Sequence, residues 1–224
     1  MTRARKSSSV DSSIAASPTR ITGRAVPPLV PTSGAVRVFV VGEAPGPRGA
    51  DKSGYPFFGD AAGKHLYRVL TALGAVTLPP HATDLAWDGA VFQRAAIIPF
   101  VHGIALGNAF DRCPTDNGQK FRAPTRAELE GADNIKRLVK ELAALSARGL
   151  RGVVTLGRVA TRTLDAVLTF APMPHIVRRA VPHPSAQGLL SLAPGRGKGA
   201  RMSDLQEAWM AQCRAQILDA GFEL

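Results

Sequence analysis

Cysteine is scarce in this 224-residue chain, and its scarcity excludes several kinds of site. The two cysteines, Cys113 and Cys213, lie far apart and form no Cys-x-x-Cys pair, so neither a zinc knuckle nor a cysteine-ligated cluster can be built. No stretch approaches the roughly 18 apolar residues that span a bilayer, and the N-terminus lacks the apolar core of a secretory signal. We therefore expect a soluble protein of the reducing cytoplasm that uses no metal or other cofactor and binds no membrane.

Acidic residues are also few, with 17 Asp and Glu against 28 Lys and Arg, which gives a formal net charge of +11. Such an excess attracts polyanions, of which nucleic acid is the commonest, although ribosomal and other basic proteins share this composition. Residues 176–201 contain no acid, and this segment is either a phosphate-facing surface or a solvated basic loop. Its basic residues are Arg178, Arg179, Arg196, Lys198 and Arg201.

The length and composition of the chain fit one folded domain with tails. Residues 1–34 are rich in Ser, Arg and Pro with few large apolar groups, a composition that predicts a flexible basic arm. Residues 35–224 form the predicted single catalytic domain, which we expect to be a monomer.

Apolar runs and helical periodicity predict an α/β fold. Four runs are typical of buried strands, at residues 36–41, 95–100, 152–156 and 176–181. Helices are predicted between and after them, at residues 62–73, 126–147, 158–168 and 204–220. Thr125 and Glu128 form a capping box before the second helix, and Ser203 with Gln206 resembles another before the last. The alternation predicts a three-layer α/β/α sandwich around a central, mostly parallel four-stranded sheet.

Two loops of unusual composition follow strands of this sheet, where ligands bind in such folds. Residues 42–66 are rich in glycine and place Glu43 directly at a strand exit. Residues 181–190 hold His183 between Pro182 and Pro184, which stiffen the chain around the imidazole. Taken alone, a glycine-rich loop is most often a phosphate cradle, and a lone loop histidine is more often structural than catalytic.

The combination of motifs resembles the uracil-DNA glycosylase superfamily. The matching segments are Gly-Glu-Ala-Pro-Gly at 42–46, Gly-Tyr-Pro-Phe-Phe-Gly-Asp-Ala-Ala-Gly at 54–63 and His-Pro-Ser at 183–185. The nearest pattern is that of the family-four enzymes of bacteria and archaea, but two features of that family are absent. This chain lacks the four cysteines of their iron–sulfur cluster, and no Asn between residues 90 and 107 matches the one that reads the uracil edge. The sequence therefore predicts a divergent branch without a cluster.

The resemblance implies a DNA-repair glycosylase that flips a base out of DNA and hydrolyses its bond to deoxyribose, leaving an abasic site. Its partner is DNA containing uracil or another deaminated base, and a bacterial member would be associated with the nucleoid. Glu43 is implied to stabilise the cationic sugar and orient the attacking water, while His183 donates a hydrogen bond to the leaving base. We expect nearby Arg178 and Arg179 to lower the pKa of His183, keeping it neutral.

The same resemblance assigns binding roles to both loops. Base-binding residues are Gly42, Ala44, Gly46 and Phe57, with Phe57 stacking on the extruded base and Phe58 or Tyr55 as substitutes for it. DNA-binding residues are Gly59, Gly63, Lys64, Ser185, Gln187 and Leu189, with Leu190 a further candidate for filling the gap left by the base. For Phe57 and Leu189, packing into the core is the alternative.

Selectivity for uracil is expected to be loose. Gly46 stands where some uracil glycosylases carry a tyrosine that excludes thymine. No Asn that could hydrogen-bond to the uracil edge is found within residues 90–107. Xanthine and hypoxanthine are therefore predicted as further substrates. The alternatives are a non-catalytic DNA-binding protein with the same fold and a nucleotide or phosphate-sugar enzyme that uses the glycine-rich loop. A covalent trap for uracil-containing DNA is disfavoured, because the Lys-Arg-Arg-Ile-His segment of that branch is absent.

Overall fold

The computed structural model describes residues 22–117 and 120–223, apart from the side chains at positions 22, 192, 196 and 197. The strands are β1 (Thr22–Ala25), β2 (Val38–Gly42), β3 (Val76–Thr77), β4 (Phe100–Val101), β5 (Ile104–Asn108), β6 (Arg112–Pro114), β7 (Gly152–Leu156) and β8 (Val177–Val181). The helices are α1 (Ala50–Ser53), α2 (Ala61–Ala72), α3 (Gly89–Arg94), α4 (Arg126–Glu130), α5 (Ala132–Ser146), α6 (Arg158–Phe170), α7 (Ala186–Leu192) and α8 (Met202–Asp219). Short 3-10 turns lie at Pro80–Asp84 and Pro194–Gly197.

A four-stranded sheet with the order β5-β2-β7-β8 forms the centre of the domain, and its neighbouring strands are all parallel. Every residue of β2, β5 and β7 is buried, as expected for strands covered on both faces. The chain passes from β2 to β5 on one side and later to β7 on the other. The carboxyl ends of β2 and β7 therefore form a topological switch point, the usual place for a ligand.

Helices cover both faces of this sheet. On one face α2 and α8 pack against alternate strand residues such as Val40 and Leu106. On the other, α5 and α6 pack against Phe39 and Val41. The predicted three-layer arrangement around a parallel sheet is confirmed. In the described ranges, no helix combines the length and apolar character needed to cross a membrane.

The second central strand is not the one that the sequence predicted. Residues 95–100 form a turn and the start of a two-stranded antiparallel ribbon, in which Ile98 and Phe100 are 45% and 49% exposed. The central strand is instead β5, with the sequence Ile-Ala-Leu-Gly-Asn. Its signal is weak because Gly and Asn are disfavoured in strands. Gly107 is needed there, since a Cβ at this position would lie 2.7 Å from the ring of Phe39.

Three differences from the predicted helices concern residues 126–147, 186–192 and 202–219. The predicted helix at 126–147 is divided at Gly131 into α4 and α5, although the capping box of Thr125 and Glu128 is present. The last helix begins at Met202, and its N-cap is Arg201 rather than Ser203. A short helix, α7, follows His183 in a segment that was expected to be a loop.

Residues 22–34 belong to the folded part of the chain, which corrects the prediction that the flexible arm extends to residue 34. β1 pairs antiparallel with β6, and Val26 is buried. The Leu29 amide donates to the Leu106 carbonyl at 2.8 Å and the Leu106 amide donates back at 2.9 Å, which adds an antiparallel bridge to the edge of the central sheet. Residues 1–21 of the predicted arm lie outside the described residues.

Candidate active site

A cavity of about 870 Å³ opens at the carboxyl edge of the central sheet. Eight residues that the sequence analysis singled out for catalysis or binding line it, namely Glu43, Ala44, Gly46, Phe57, Gly63, Lys64, His183 and Ser185. The other lining residues are Asp60, Ala61, Ala62, His65, Arg68, Trp87, Pro184, Ala186 and Gln206. The two loops that follow β2 and β8 thus meet across one cavity.

Glu43 is the first residue after β2, and the end of β5 fixes its main chain. The Phe110 amide donates to the Glu43 carbonyl at 2.9 Å, and the Ala109 amide donates to the Gly42 carbonyl at 2.8 Å. Burial raises the pKa of the Glu43 carboxyl above its ordinary value. The carboxyl is therefore closer than a solvated glutamate to the pKa that suits a general base at neutral pH.

His183 follows β8 with its tautomer set by the backbone. The Ser185 amide donates to Nδ1 of His183 at 3.2 Å, so in the neutral ring the proton resides on Nε2. The Trp209 indole also fixes this loop by donating to the Pro182 carbonyl at 2.8 Å. Gly157 allows the imidazole to lie close to β7, since a Cβ there would lie 3.0 Å from the Cβ of His183.

Burial lowers the pKa of His183, which favours the neutral form, but the two arginines named above are not the cause. Arg178 pairs with Asp165 at 3.2 Å, and Arg179 pairs with Asp219. These two members of the basic 176–201 segment are thus neutralised by helices α6 and α8. The side chain of Arg196 lies outside the described residues.

Phe57 presents an aromatic ring to the cavity from an unusual backbone conformation. Its φ of 63° lies in the left-handed region, which bulky residues rarely adopt. Gly42 lets the ring approach β2, because a Cβ at that position would collide with it. Phe58 has a different role, since it is fully buried and stacks on Phe92 with ring centroids 4.2 Å apart. Tyr55 packs against Phe58 with their rings edge to face, so of these three rings only that of Phe57 lines the cavity.

Asn108 is a candidate site residue that the sequence analysis missed. It ends β5, directly opposite Gly42 in the parallel pairing, and lies one residue beyond the window searched for such an Asn. The side chain is 3% exposed, and neither Oδ1 nor Nδ2 has a hydrogen-bond partner among the described residues. A Cβ on Gly42 would lie 2.8 Å from Oδ1 of Asn108 and would also touch the Phe57 ring, so amide and ring are neighbours. The sequence analysis missed Asn108 because it placed the second central strand at residues 95–100 instead of at β5.

The space beside Gly46 is occupied by Asp60. A side chain at position 46 would collide with the Asp60 carboxylate, which accepts a hydrogen bond from the Ala50 amide at 3.3 Å. Burial raises the pKa of Asp60, and backbone hydrogen bonds from Ala50, Gly49 and Gly46 oppose the shift. Although Gly46 has no side chain, the space beside it is therefore filled.

Three of the residues predicted to bind DNA lie outside the cavity lining. Gly59 is buried against the start of α3, where a Cβ would collide with the backbone of Gly89. Leu189 is 4% exposed and packs in the core, so the alternative role given for it is the correct one in this conformation. Gln187 is exposed on the first turn of α7. Ser185 does line the cavity, and its hydroxyl caps α7 by accepting from the Gly188 amide at 3.3 Å.

Basic side chains form one rim of the cavity at the start of α2. Lys64 and Arg68 are exposed and line the opening together with His65. Burial lowers the pKa of His65, and the charges of Arg68 and Lys64 add to this effect. Positive charge beside the N-terminus of a 12-residue helix suits a phosphate.

The iron–sulfur cluster of the family-four enzymes does not fit this chain. Cys113 lies on β6 and Cys213 on α8, both as buried free thiols, and the chain has no other cysteine. Within the described ranges, no group of three or more His, Cys, Asp or Glu side chains is placed to hold a metal ion.

A carboxylate, an imidazole and an aromatic ring thus line one cavity, with a buried amide beside the ring. The cavity lies at a switch point of a parallel sheet, where α/β proteins usually bind their ligands. The chain belongs to the Uracil DNA glycosylase superfamily, whose family model matches residues 30–208. Membership points to a DNA glycosylase-like function with DNA as the substrate. No curated protein matches the chain.

Proposed function

We propose that this protein is a monofunctional DNA glycosylase that hydrolyses the N-glycosidic bond of uracil in DNA and leaves an abasic site. Superfamily membership supports the chemistry, and the placement of Glu43 and His183 on one cavity supports their catalytic roles. The observation that carries the choice of substrate is the buried amide of Asn108, which lies beside the Phe57 ring and has no hydrogen-bond partner in the part of the chain that the structure describes. A buried amide without a partner costs stability, and a ligand that pairs with it offsets that cost.

An extruded nucleotide suits the cavity in size and in lining. At about 870 Å³ the space exceeds that of a single base and leaves room for the sugar and the neighbouring phosphates. The Phe57 ring offers a stacking surface for the base. Lys64, Arg68 and Ser185 stand on the rim, where phosphates flanking the flipped nucleotide would lie.

Glu43 is the residue proposed to act on the sugar and on water. The bond between C1′ and the base breaks with its electron pair passing to the base, which leaves a cationic sugar. The ionised Glu43 carboxylate stabilises this cation and accepts a proton from the water whose oxygen bonds to C1′. Because burial raises the pKa of Glu43, the carboxyl accepts that proton more readily than a solvated glutamate does.

His183 is proposed to stabilise the leaving base. Negative charge collects on a carbonyl oxygen of uracil as the bond breaks, and Nε2–H of a neutral imidazole can donate a hydrogen bond to that oxygen. The hydrogen bond from Ser185 to Nδ1 holds the required tautomer, and burial of His183 lowers its pKa so that the neutral form dominates at pH 7.

Asn108 is proposed to read the edge of the base. Its Oδ1 accepts from uracil N3–H while Nδ2 donates to the adjacent carbonyl O4. With Asn108 in this role, the absence of an Asn between residues 90 and 107 no longer favours loose selectivity for uracil. Xanthine and hypoxanthine remain proposed substrates for a different reason, because each presents an N–H next to a carbonyl and so matches the same amide.

The test uses a labelled duplex with a single uracil, followed by alkali to cut at abasic sites. We expect cleavage by the wild-type protein and a loss of about 10²- to 10⁴-fold in Glu43→Gln, as for removal of a general base. His183→Asn is expected to lose about 10²- to 10³-fold, as for removal of an oxyanion donor. Exposed residues of the same types, changed as Glu130→Gln and His175→Asn, serve as controls and are expected to keep full activity.

The same assay contains the outcomes that would refute the proposal. Duplexes with xanthine, hypoxanthine, thymine and cytosine extend the panel. Retention of DNA without cleavage of any duplex would indicate a non-catalytic DNA-binding protein. Binding of free nucleotides without affinity for DNA would indicate a nucleotide or phosphate-sugar enzyme.

A further inference from the structure

Helix α5 carries a polar cluster on the face turned toward the end of β5. Asn134, Arg137 and Glu141 are spaced three and four residues apart, which places them on one side of the helix. Nη1 of Arg137 donates to Glu141 at 2.7 Å, and Nη2 donates to Oδ1 of Asn134 at 2.8 Å. The side chains of Arg137 and Glu141 are 21% and 16% exposed, so this ion pair is largely removed from solvent.

This cluster binds the main chain that ends β5. Nη2 of Arg137 also donates to the carbonyls of Asn108 at 3.2 Å and Ala109 at 2.9 Å. The Asn134 amide donates to the same Ala109 carbonyl at 2.9 Å and to the Leu129 carbonyl at 2.8 Å. Three hydrogen bonds, donated by Arg137 and Asn134, thus fix the two consecutive carbonyls of Asn108 and Ala109.

The segment held in this way, residues 108–110, is connected to both the proposed base-reading residue and the proposed catalytic carboxylate. Its first residue is Asn108 itself. Its next two amides, those of Ala109 and Phe110, donate to the carbonyls of Gly42 and Glu43. A displacement of the segment would therefore move the side-chain amide of Asn108 and the carboxylate of Glu43 together.

We propose that Asn134, Arg137 and Glu141 are positioning residues, which hold the Asn108–Phe110 segment so that Asn108 and Glu43 stand in register with a flipped base. This inference rests on the proposed glycosylase function. None of the three residues lines the cavity, so they act through the segment and touch no substrate.

Stability alone does not account for the cluster. A buried ion pair is often no more stabilising than apolar residues of similar volume. Oε2 of Glu141 is also buried without a partner among the described residues, which adds a cost. The planar fork of Arg137 can reach two carbonyls, an amide oxygen and a carboxylate together, whereas a lysine ammonium cannot. The arrangement is thus suited to fixing geometry.

Three variants separate positioning from folding. Arg137→Lys keeps the charge and loses the fork. The double variant Arg137→Met with Glu141→Met replaces the pair by apolar side chains and leaves no unpaired charge. Lys136→Gln changes an exposed residue of the same helix and is the control. Each is compared with the wild-type protein in melting temperature, in hydrogen exchange of the Ala109 and Phe110 amides, and in kcat and KM on the uracil duplex.

For Arg137→Lys we expect exchange of both amides to become at least about tenfold faster, since a local opening would expose them. We expect kcat to fall about 10- to 100-fold, as for loss of a supporting shell or a small misplacement, while KM changes far less. The uracil-to-cytosine ratio of kcat/KM should fall as well. The double variant should melt near the wild-type temperature, and its kcat should be as low as that of Arg137→Lys.

Unchanged amide exchange in Arg137→Lys would overturn the inference, as would recovery of kcat in the double variant. A fall in kcat that follows melting temperature across the variants would also overturn it. If the wild-type protein releases no base from any duplex, the proposed function fails, and amide exchange alone still decides whether the cluster positions the segment.

Discussion

Replacing Asn108 by leucine should make the protein more stable and less active. The wild-type amide is 3% exposed with no hydrogen-bond partner among the described residues, and such a group costs about 1–3 kcal/mol. Leucine has the same number of side-chain heavy atoms and no polar group to satisfy. For a domain of this size, about 2–4 °C accompany each kcal/mol, so we expect the melting temperature to rise by about 2–12 °C. Asn108→Ala removes the amide without adding volume and should also retain the fold.

The expected loss of activity follows from the same amide. A bidentate pair with a base edge is worth about 1–3 kcal/mol, which corresponds to about 5- to 150-fold in kcat/KM. The assay combines thermal unfolding without DNA and alkali cleavage of the uracil duplex. A lower melting temperature together with full activity in both variants would refute the reasoning, because Asn108 would then be a structural residue.

Three further predictions follow from the burial and conformation of other site residues. Glu43→Gln should raise the melting temperature at pH 7, because the raised pKa of Glu43 means that the folded state disfavours the ionised carboxylate. Unfolding measured as a function of pH should show that this gain vanishes below about pH 4, where the carboxyl is protonated in both states. The lowered pKa of His183 means that the unfolded state takes up its proton first, so stability should fall as pH drops below about 6.5, and His183→Asn should weaken this dependence. Phe57→Ala should lower kcat/KM on the uracil duplex by about 5- to 150-fold, because stacking on the base is worth about 1–3 kcal/mol. Phe58→Ala should instead lower the free energy of unfolding by about 3–5 kcal/mol, as measured by denaturant unfolding.

The parts of this fold that depend on local pattern were predictable. β2 and β7 are continuous β-branched runs, and the capping box before α4 is written in adjacent residues. The exits of strands could be located in the same way. The sequence therefore predicts that Glu43 and His183 lie at one edge of the sheet, and both residues line one cavity there.

What could not be predicted depends on contacts between distant segments. Residues 95–100 are more apolar than β5, so the pattern favoured the wrong strand and hid Asn108. Nothing local shows that the Asp60 carboxylate would occupy the space beside Gly46, since this follows from how the loop folds back. The partners of Arg178 and Arg179 come from helices α6 and α8, and a basic run in the sequence does not reveal them.

The N-terminal strand has a practical consequence for anyone who shortens this protein. Arg24 donates to the carbonyls of Asp51 at 3.1 Å and Lys52 at 2.6 Å, and so ties α1, in the glycine-rich loop, to β1. The recognisable superfamily match starts only at residue 30, and a truncation there would delete this tie together with the pairing partner of β6. An expressed fragment that begins at residue 30 would keep every cavity-lining side chain but lose the contacts between β1 and the loop that carries many of them. If the chain has the proposed activity, we expect such a fragment to show less of it than the longer chain.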